Sequence, residues 1–248
     1  MFKHWRQKEI IRKNREQRQG VGLVTLTQPE AIASEQFRTI RTNIQFAMEE
    51  DHCRSLMFTS SGAWEGKSTV LANVACVMAD LGLRVLVMDC DLRKPTVHKT
   101  FDLTPRDGLT SLLTNRDLGP MDYIHYVPDA NLYVLPAGPK PPNPAELLSS
   151  ERMFQILDEL ENTFDLVLID TPPILLVTDA QIIGARAGGV VFVLRENVSQ
   201  MAHVKKAKEL LEAVHANVLG AVYNGAHSEA MASYYGYGYR EEEADLDR

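Results

Sequence analysis

From Ser55 onward the chain alternates short apolar runs with amphipathic stretches, and few folds accept that alternation. The runs are SLMFTS (55–60), RVLVMDC (84–90), NLYVLPA (131–137), DLVLID (165–170), GVVFVL (189–194) and NVLGAVYN (217–224). Several are apolar on both faces, as strands of a parallel sheet covered by helices must be. The stretches between them predict helices at about 67–81, 144–163, 178–187 and 199–215, the second opened by Asn143-Pro144 with proline in its first turn. Repeated βα units of this kind build an α/β fold with a doubly wound, mostly parallel sheet.

Two further stretches flank or interrupt that pattern. Pro29 to Met48 predicts a helix, with Ile32, Phe37, Ile40, Ile44 and Phe46 forming an approximate stripe. PAGPKPPNP (136–144) carries too much proline for a regular element and reads as a stiff extended loop. Beyond Asn224 the apolar periodicity stops and the composition is that of a mobile tail. Without internal repeats, the organisation expected is a basic N-terminal arm (1–28), one domain (29–224) and a C-terminal tail (225–248).

The first strand runs directly into TSSGAWEGKST, residues 59–69. A Gly66-Lys67-Ser68 core between strand and helix is where a phosphate-binding loop belongs. Backbone amides and the helix N-terminus hold phosphate oxygens, Lys67 reaches the β and γ phosphates, and Ser68 ligates Mg²⁺. The match is imperfect, because Ser61 stands where the pattern has its first glycine and Gly62 lies beside it. Gly62, Glu65, Gly66, Lys67, Ser68 and Thr69 are the loop's candidate nucleotide-binding residues.

Two more motifs fall at strand ends. VLVMDCDLRKP leaves Asp89, Asp91 and Arg93 past one strand, and LVLIDTPP leaves Asp170 past another. Each acid alone could merely cap the next helix. Together they should converge with Lys67 and Ser68 at the carboxyl edge of the sheet, where ligands of open parallel sheets collect. Carboxylates beside a triphosphate need a cation between them, so ATP with Mg²⁺ is the implied ligand, Ser68, Asp91 and Asp170 being the candidate metal ligands.

A net charge of -7 argues against a nucleic-acid binder. The charge is uneven, however: residues 1–18 carry Lys3, Arg6, Lys8, Arg12, Lys13, Arg15 and Arg18, suited to an acidic partner or anionic lipid. Cys53, Cys76 and Cys90 lack metal-ligand spacing and fit a reduced cytoplasmic setting. No apolar run approaches a membrane span, and no apolar signal segment opens the chain.

These residues resemble the bacterial tyrosine kinases of capsule and exopolysaccharide synthesis. Gly66-Lys67-Ser68-Thr69 is similar to the family's Walker A loop, Asp89-Cys90-Asp91-Leu92-Arg93 to its Walker A′ motif, and Asp170-Thr171-Pro172-Pro173 to its Walker B. Glu35, Arg38 and Arg41 match its Glu-x-x-Arg-x-x-Arg oligomerisation motif, and PAGPKPPNPAELL its proline-rich loop. SYYGYGYREEEADLDR holds four of the chain's eight tyrosines, Tyr234, Tyr235, Tyr237 and Tyr239, and resembles the family's phosphorylated cluster. One departure is Trp64, where members usually carry glycine.

The resemblance implies a protein-tyrosine autokinase with a P-loop fold, using ATP and Mg²⁺, with Lys67, Asp89, Asp91, Asp170 and Arg93 carrying the chemistry. Asn224 resembles the position that reads adenine in related ATPases. It also implies a ring-shaped homo-oligomer, an octamer being one arrangement, in which one copy phosphorylates the next. A transmembrane adaptor's cytoplasmic tail would hold the kinase at the inner face of the membrane and activate it, a tyrosine phosphatase would reverse the reaction, and other tyrosine proteins would serve as substrates. Two rivals remain open. A ParA/MinD-like switch ATPase would carry a signature lysine where this chain has Gly62, and a nucleotide-binding scaffold would assemble without transferring phosphate.

Overall fold

The computed structural model describes residues 20–51, 53–104 and 106–226, of which 49–51 are described in backbone only. Among the described residues seven strands form one sheet in the order β3-β4-β2-β5-β1-β6-β7. They are β1 (Ser55–Ser60), β2 (Val85–Asp89), β3 (His125–Val127), β4 (Leu132–Leu135), β5 (Leu166–Asp170), β6 (Gly189–Arg195) and β7 (Val218–Asn224). Only the β3–β4 pair is antiparallel; β4-β2-β5-β1-β6-β7 run parallel. Every residue of β1, β2 and β5 is buried, which explains why those runs are continuously apolar.

The helices are α1 (Val24–Thr27), α2 (Ile32–Asp51), α3 (Lys67–Ala79), α4 (Val97–Thr100), α5 (Leu109–Thr114), α6 (Pro144–Leu148), α7 (Glu151–Thr163), α8 (Asp179–Gly184) and α9 (Met201–Ala213). They leave two apolar cores, one on each face of the sheet. Phe58, Leu71, Val74, Met78, Val87 and Leu168 belong to one, and Met57, Leu86, Met88, Leu157, Ile169 and Leu211 to the other. Successive residues of β1, Met57 and Phe58, thus point to opposite layers, as the period of two requires.

The single helix expected over 144–163 is two. Ser150 breaks it: its hydroxyl donates to Leu147 O (2.7 Å) and accepts from Met153 N–H (3.2 Å), closing α6 and capping α7. Residues 20–28, grouped by sequence with the N-terminal arm, pack onto α3 instead. Leu23 and Thr25 are buried, and Thr25 N–H and Oγ1 both reach Asn73 Oδ1 (3.1 and 3.0 Å). Strand β3 and helices α1, α4 and α5 are additions that the apolar pattern did not disclose.

Candidate active site

The loop from β1 to α3 is shaped from within by one buried acid. Glu65 Oε1 accepts from Ser61 Oγ (2.7 Å) and Ser199 Oγ (2.6 Å), and Oε2 accepts from Gly62 N–H (2.9 Å). Its side chain therefore fixes the loop's path. Gly66 then turns the chain with φ of +91°, and a Cβ there would meet Asn224 Nδ2 at 2.1 Å, so only glycine fits. The same Asn224 amide donates to Glu65 O (3.1 Å), binding the end of β7 to the loop. Asn224 thus lies against the loop, next to the start of α3. The first N–H groups of α3 have no acceptor within the helix, which makes this N-terminus a cradle for phosphate oxygens.

Facing that cradle, Lys67 Nζ lies 3.1 Å from Asp170 Oδ1 and 3.7 Å from Asp91 Oδ2. Ser68 Oγ donates to Asp170 Oδ2 (2.7 Å), so both residues of the loop motif meet one carboxylate. The strand register explains the convergence: Asp170 sits beside Phe58 of β1 and beside Asp89 of β2. The turn that follows Asp170 is tied to β1, with Thr171 Oγ1 donating to Phe58 O (2.9 Å) and Thr59 Oγ1 to Pro172 O (3.1 Å).

Asp170, Asp91 and Asp89 all act on the one lysine. Burial pushes the Asp89 carboxyl up to about 8, the charges of Asp170 and Asp91 adding to it and the Val97 N–H opposing it. Burial likewise raises Asp170, although Lys67 and Ser68 stabilise its anion. Burial alone would lower the Lys67 ammonium, but Asp170 and Asp91 outweigh it and the net shift is upward. Asp89 accepts from Asp91 N–H and Val97 N–H, both at 3.1 Å, so its two oxygens brace the turn after β2.

Other expected residues fall elsewhere. Arg93 is drawn into a bidentate pair with buried Asp179, at 2.8 and 2.9 Å, an acid the sequence reading missed. On α2, Arg38 pairs with Glu35 and donates to Pro29 O (2.8 Å), while Arg41 donates to Val77 O (3.0 Å). A cavity of about 500 Å³ lies between α2 and β7, with Asn224 in its wall. The tyrosines at 234, 235, 237 and 239 and the basic residues of 1–18 lie outside the described residues. Among the described residues no helix is long and apolar enough to cross a membrane.

A family model described as an AAA domain matches residues 61–216. Tyrosine-protein kinase YwqD of Bacillus subtilis is 43% identical over 231 residues, covering 93% of this chain and 97% of that one. Putative tyrosine-protein kinase CapB of Staphylococcus aureus is 43% identical over 84% of this chain and 91% of its own length. Among solved structures, the kinase domain of Escherichia coli tyrosine kinase ETK superposes with a TM-score of 0.81 at 33% identity, covering 85% of this chain and 82% of that one. A P-loop between a buried strand and a helix, three acids at the neighbouring strand ends and relatives of this identity over nearly the whole length agree: the chain belongs to the bacterial tyrosine-protein kinases.

Proposed function

We propose that the chain is an ATP-dependent protein-tyrosine kinase whose first substrate is the tyrosine cluster Tyr234, Tyr235, Tyr237 and Tyr239 of a neighbouring copy. The observation that carries this reading is Lys67, held between Asp170 and Asp91 with Ser68 on the same carboxylate, at the mouth of a glycine-turned loop. Phosphoryl transfer asks for positioning and charge neutralisation, and this cluster supplies both. The loop amides and Lys67 bind the β and γ phosphates. The tyrosine hydroxyl oxygen bonds to the γ phosphorus as the bond to the β-phosphate oxygen breaks, and ADP leaves.

Among the described residues no group of three or more His, Cys, Asp or Glu side chains is arranged to hold a metal unaided. Mg²⁺ takes one or two protein oxygens and completes its shell with water and phosphate, so the Ser68 hydroxyl and the Asp170 carboxylate, 2.7 Å apart, are donors enough for it. Ser68 Oγ and Asp170 would hold it, and the ion would supply neutralising charge to the phosphates. Both oxygens of Asp89 are engaged by backbone N–H groups, whereas only Oδ1 of Asp91 is, by Lys94 N–H (3.0 Å), so Asp91 Oδ2 is the carboxylate oxygen left to orient the tyrosine hydroxyl and take its proton. A tyrosine near pKa 10 is protonated at neutral pH, so it needs such an acceptor.

Each phosphate adds about -1.5 to -2 charges to a tail that already carries Glu241, Glu242, Glu243, Asp245 and Asp247. Repulsion between tails then loosens a ring of copies joined through the α2 face that bears Glu35, Arg38 and Arg41. By this cycle the enzyme regulates capsular or exopolysaccharide polymerisation and export. A transmembrane adaptor's cytoplasmic tail recruits it to the inner membrane face, and a tyrosine phosphatase resets it. The switch-ATPase reading is weaker, because the position of its signature lysine is Gly62, whose N–H is bound to Glu65. The scaffold reading fails if phosphate moves.

The test is incubation of purified protein with ATP and Mg²⁺, with and without the adaptor tail, followed by mass spectrometry beside a Lys67→Met control. Phosphate on the four tail tyrosines that vanishes in the control is expected. ATP turnover with every tail tyrosine bare, adaptor included, would overturn the reading.

A further inference from the structure

Trp64 stands on the phosphate loop in a conformation that tryptophan rarely takes. Its φ is +69°, in the left-handed region, and the residue is 86% exposed. Both features cost free energy in the isolated protein: a strained backbone and a large apolar face in water. Neither is a loose end, because Arg195 Nη1 donates to Trp64 O at 2.9 Å and fixes the residue against the end of β6. Glu65 anchors the adjoining peptide to Ser199, and Asn224 grips Glu65 O. The indole therefore projects from a rigid support.

The sheet order says which end of a bound nucleotide would meet it. β1 divides the edge into two flanks. On one flank β5 and β2 bring Asp170, Asp89 and Asp91 around Lys67, which is where the terminal phosphate and its cation belong. On the other, β6 and β7 end in Arg195 and Asn224, and Trp64 is tied to this flank. A nucleotide whose terminal phosphate lies at Lys67 and whose chain follows the loop leaves its nucleoside on the β6/β7 flank. Base against indole face is the contact that would cover the exposed ring, and such stacking tolerates any base.

We infer that Trp64 is a nucleoside-stacking residue, a clamp on the base of the bound nucleotide that acts on affinity and leaves phosphate binding to the loop. This rests on the nucleotide reading above and adds to it a specificity for ligands that carry a ring. Trp64 touches no reacting atom and acts as a binding residue only.

The chain has two tryptophans, so Trp5→Phe leaves Trp64 as the one reporter. In that background ADP and inorganic tripolyphosphate are titrated in turn, followed by Trp64 emission and by calorimetry, and both titrations are repeated by calorimetry with Trp64→Phe and Trp64→Ala added. The expected result is that ADP shifts or quenches the emission while tripolyphosphate binds without changing it. Trp64→Ala should weaken ADP about tenfold, Trp64→Phe by no more than about threefold, and neither should alter tripolyphosphate binding. The inference is overturned if Trp64→Ala binds ADP as the parent does, or weakens ADP and tripolyphosphate alike, the mark of a residue that only shapes the loop. Emission that follows protein concentration and ignores ADP would overturn it too, pointing to a contact between copies. If the parent gives no heat with ADP, the nucleotide reading itself falls, and calorimetry separates that failure from the others.

Discussion

Lys67 Nζ and Asp170 Oδ1 are 3.1 Å apart, and both groups are almost wholly withdrawn from water. Neither charge is tolerable there alone, since breaking a buried pair by removing one partner strands the other. Lys67→Met should abolish tail phosphorylation and also destabilise the fold by about 3 kcal/mol. Adding Asp170→Asn should restore most of that stability and none of the activity. Urea unfolding of the single and double variants, beside phosphotyrosine mapping, checks both halves.

Stability should fall as pH rises through the neutral range. Asp89 titrates at about 8 in the folded protein, above the usual carboxylate range it would have unfolded. The native state therefore binds more protons between about pH 4 and 8, and stability declines with pH across that window. Below it the contribution is fully present, and above it the loss is complete. Asp170 is raised as well and steepens the same decline. Asp89→Asn, which cannot titrate, should flatten the slope between pH 4 and 8 whatever it does to stability at one pH, and thermal melts across that range measure it.

Much of this architecture was legible because buried parallel strands are apolar on both faces, so the runs at 55–60 and 165–170 stand within a residue of β1 and β5, and the apolar run at 217–224 stands within a residue of β7 although no residue of that edge strand is buried. Lys67, Ser68, Asp91 and Asp170 were legible for a related reason: strand ends at one edge of a parallel sheet must converge. Strand β3 was not, because HYV is three residues with one buried, too short for alternation to show. The short helices α4 and α5 lie in a stretch where tertiary packing, not periodicity, sets the backbone. The roles of Glu65, Ser199 and Asp179 depend on contacts between segments far apart in sequence, which spacing does not encode. Asp179 had one faint signal, an acid at the start of an expected helix.

Gly66 should be irreplaceable for two reasons that can be separated. Its φ of +91° strains any side chain, and its Cβ would lie 2.1 Å from Asn224 Nδ2. Gly66→Ala should cost about 1–3 kcal/mol and impair nucleotide binding. Asn224→Ala added to it removes the clash and leaves the backbone strain, so the pair should recover part of the loss. Full recovery in denaturant titrations would mean that the strain is negligible.

Arg93 and Asp179 offer a way to divide a structural role from a chemical one. The guanidinium reaches both oxygens of an acid with no exposed surface, and the hydrogen bonds it donates there raise its own pKa. Arg93→Ala should leave that carboxylate buried and unpaired and cost about 2–4 kcal/mol, less than a fully buried pair because Arg93 is partly in solvent. Arg93→Lys keeps the charge but loses the fork, and should fall between. The decisive protein is Arg93→Ala with Asp179→Asn, in which no charge is stranded and the fold should be restored. If its tyrosine phosphorylation returns to within about threefold of the parent, then by the free-energy reading of mutant rates Arg93 acts by positioning the turn after β2. If it folds normally yet stays about a hundredfold slower, the arginine must leave Asp179 during turnover and lend its charge to the transferred phosphate, a magnitude in keeping with charge stabilisation in phosphoryl transfer.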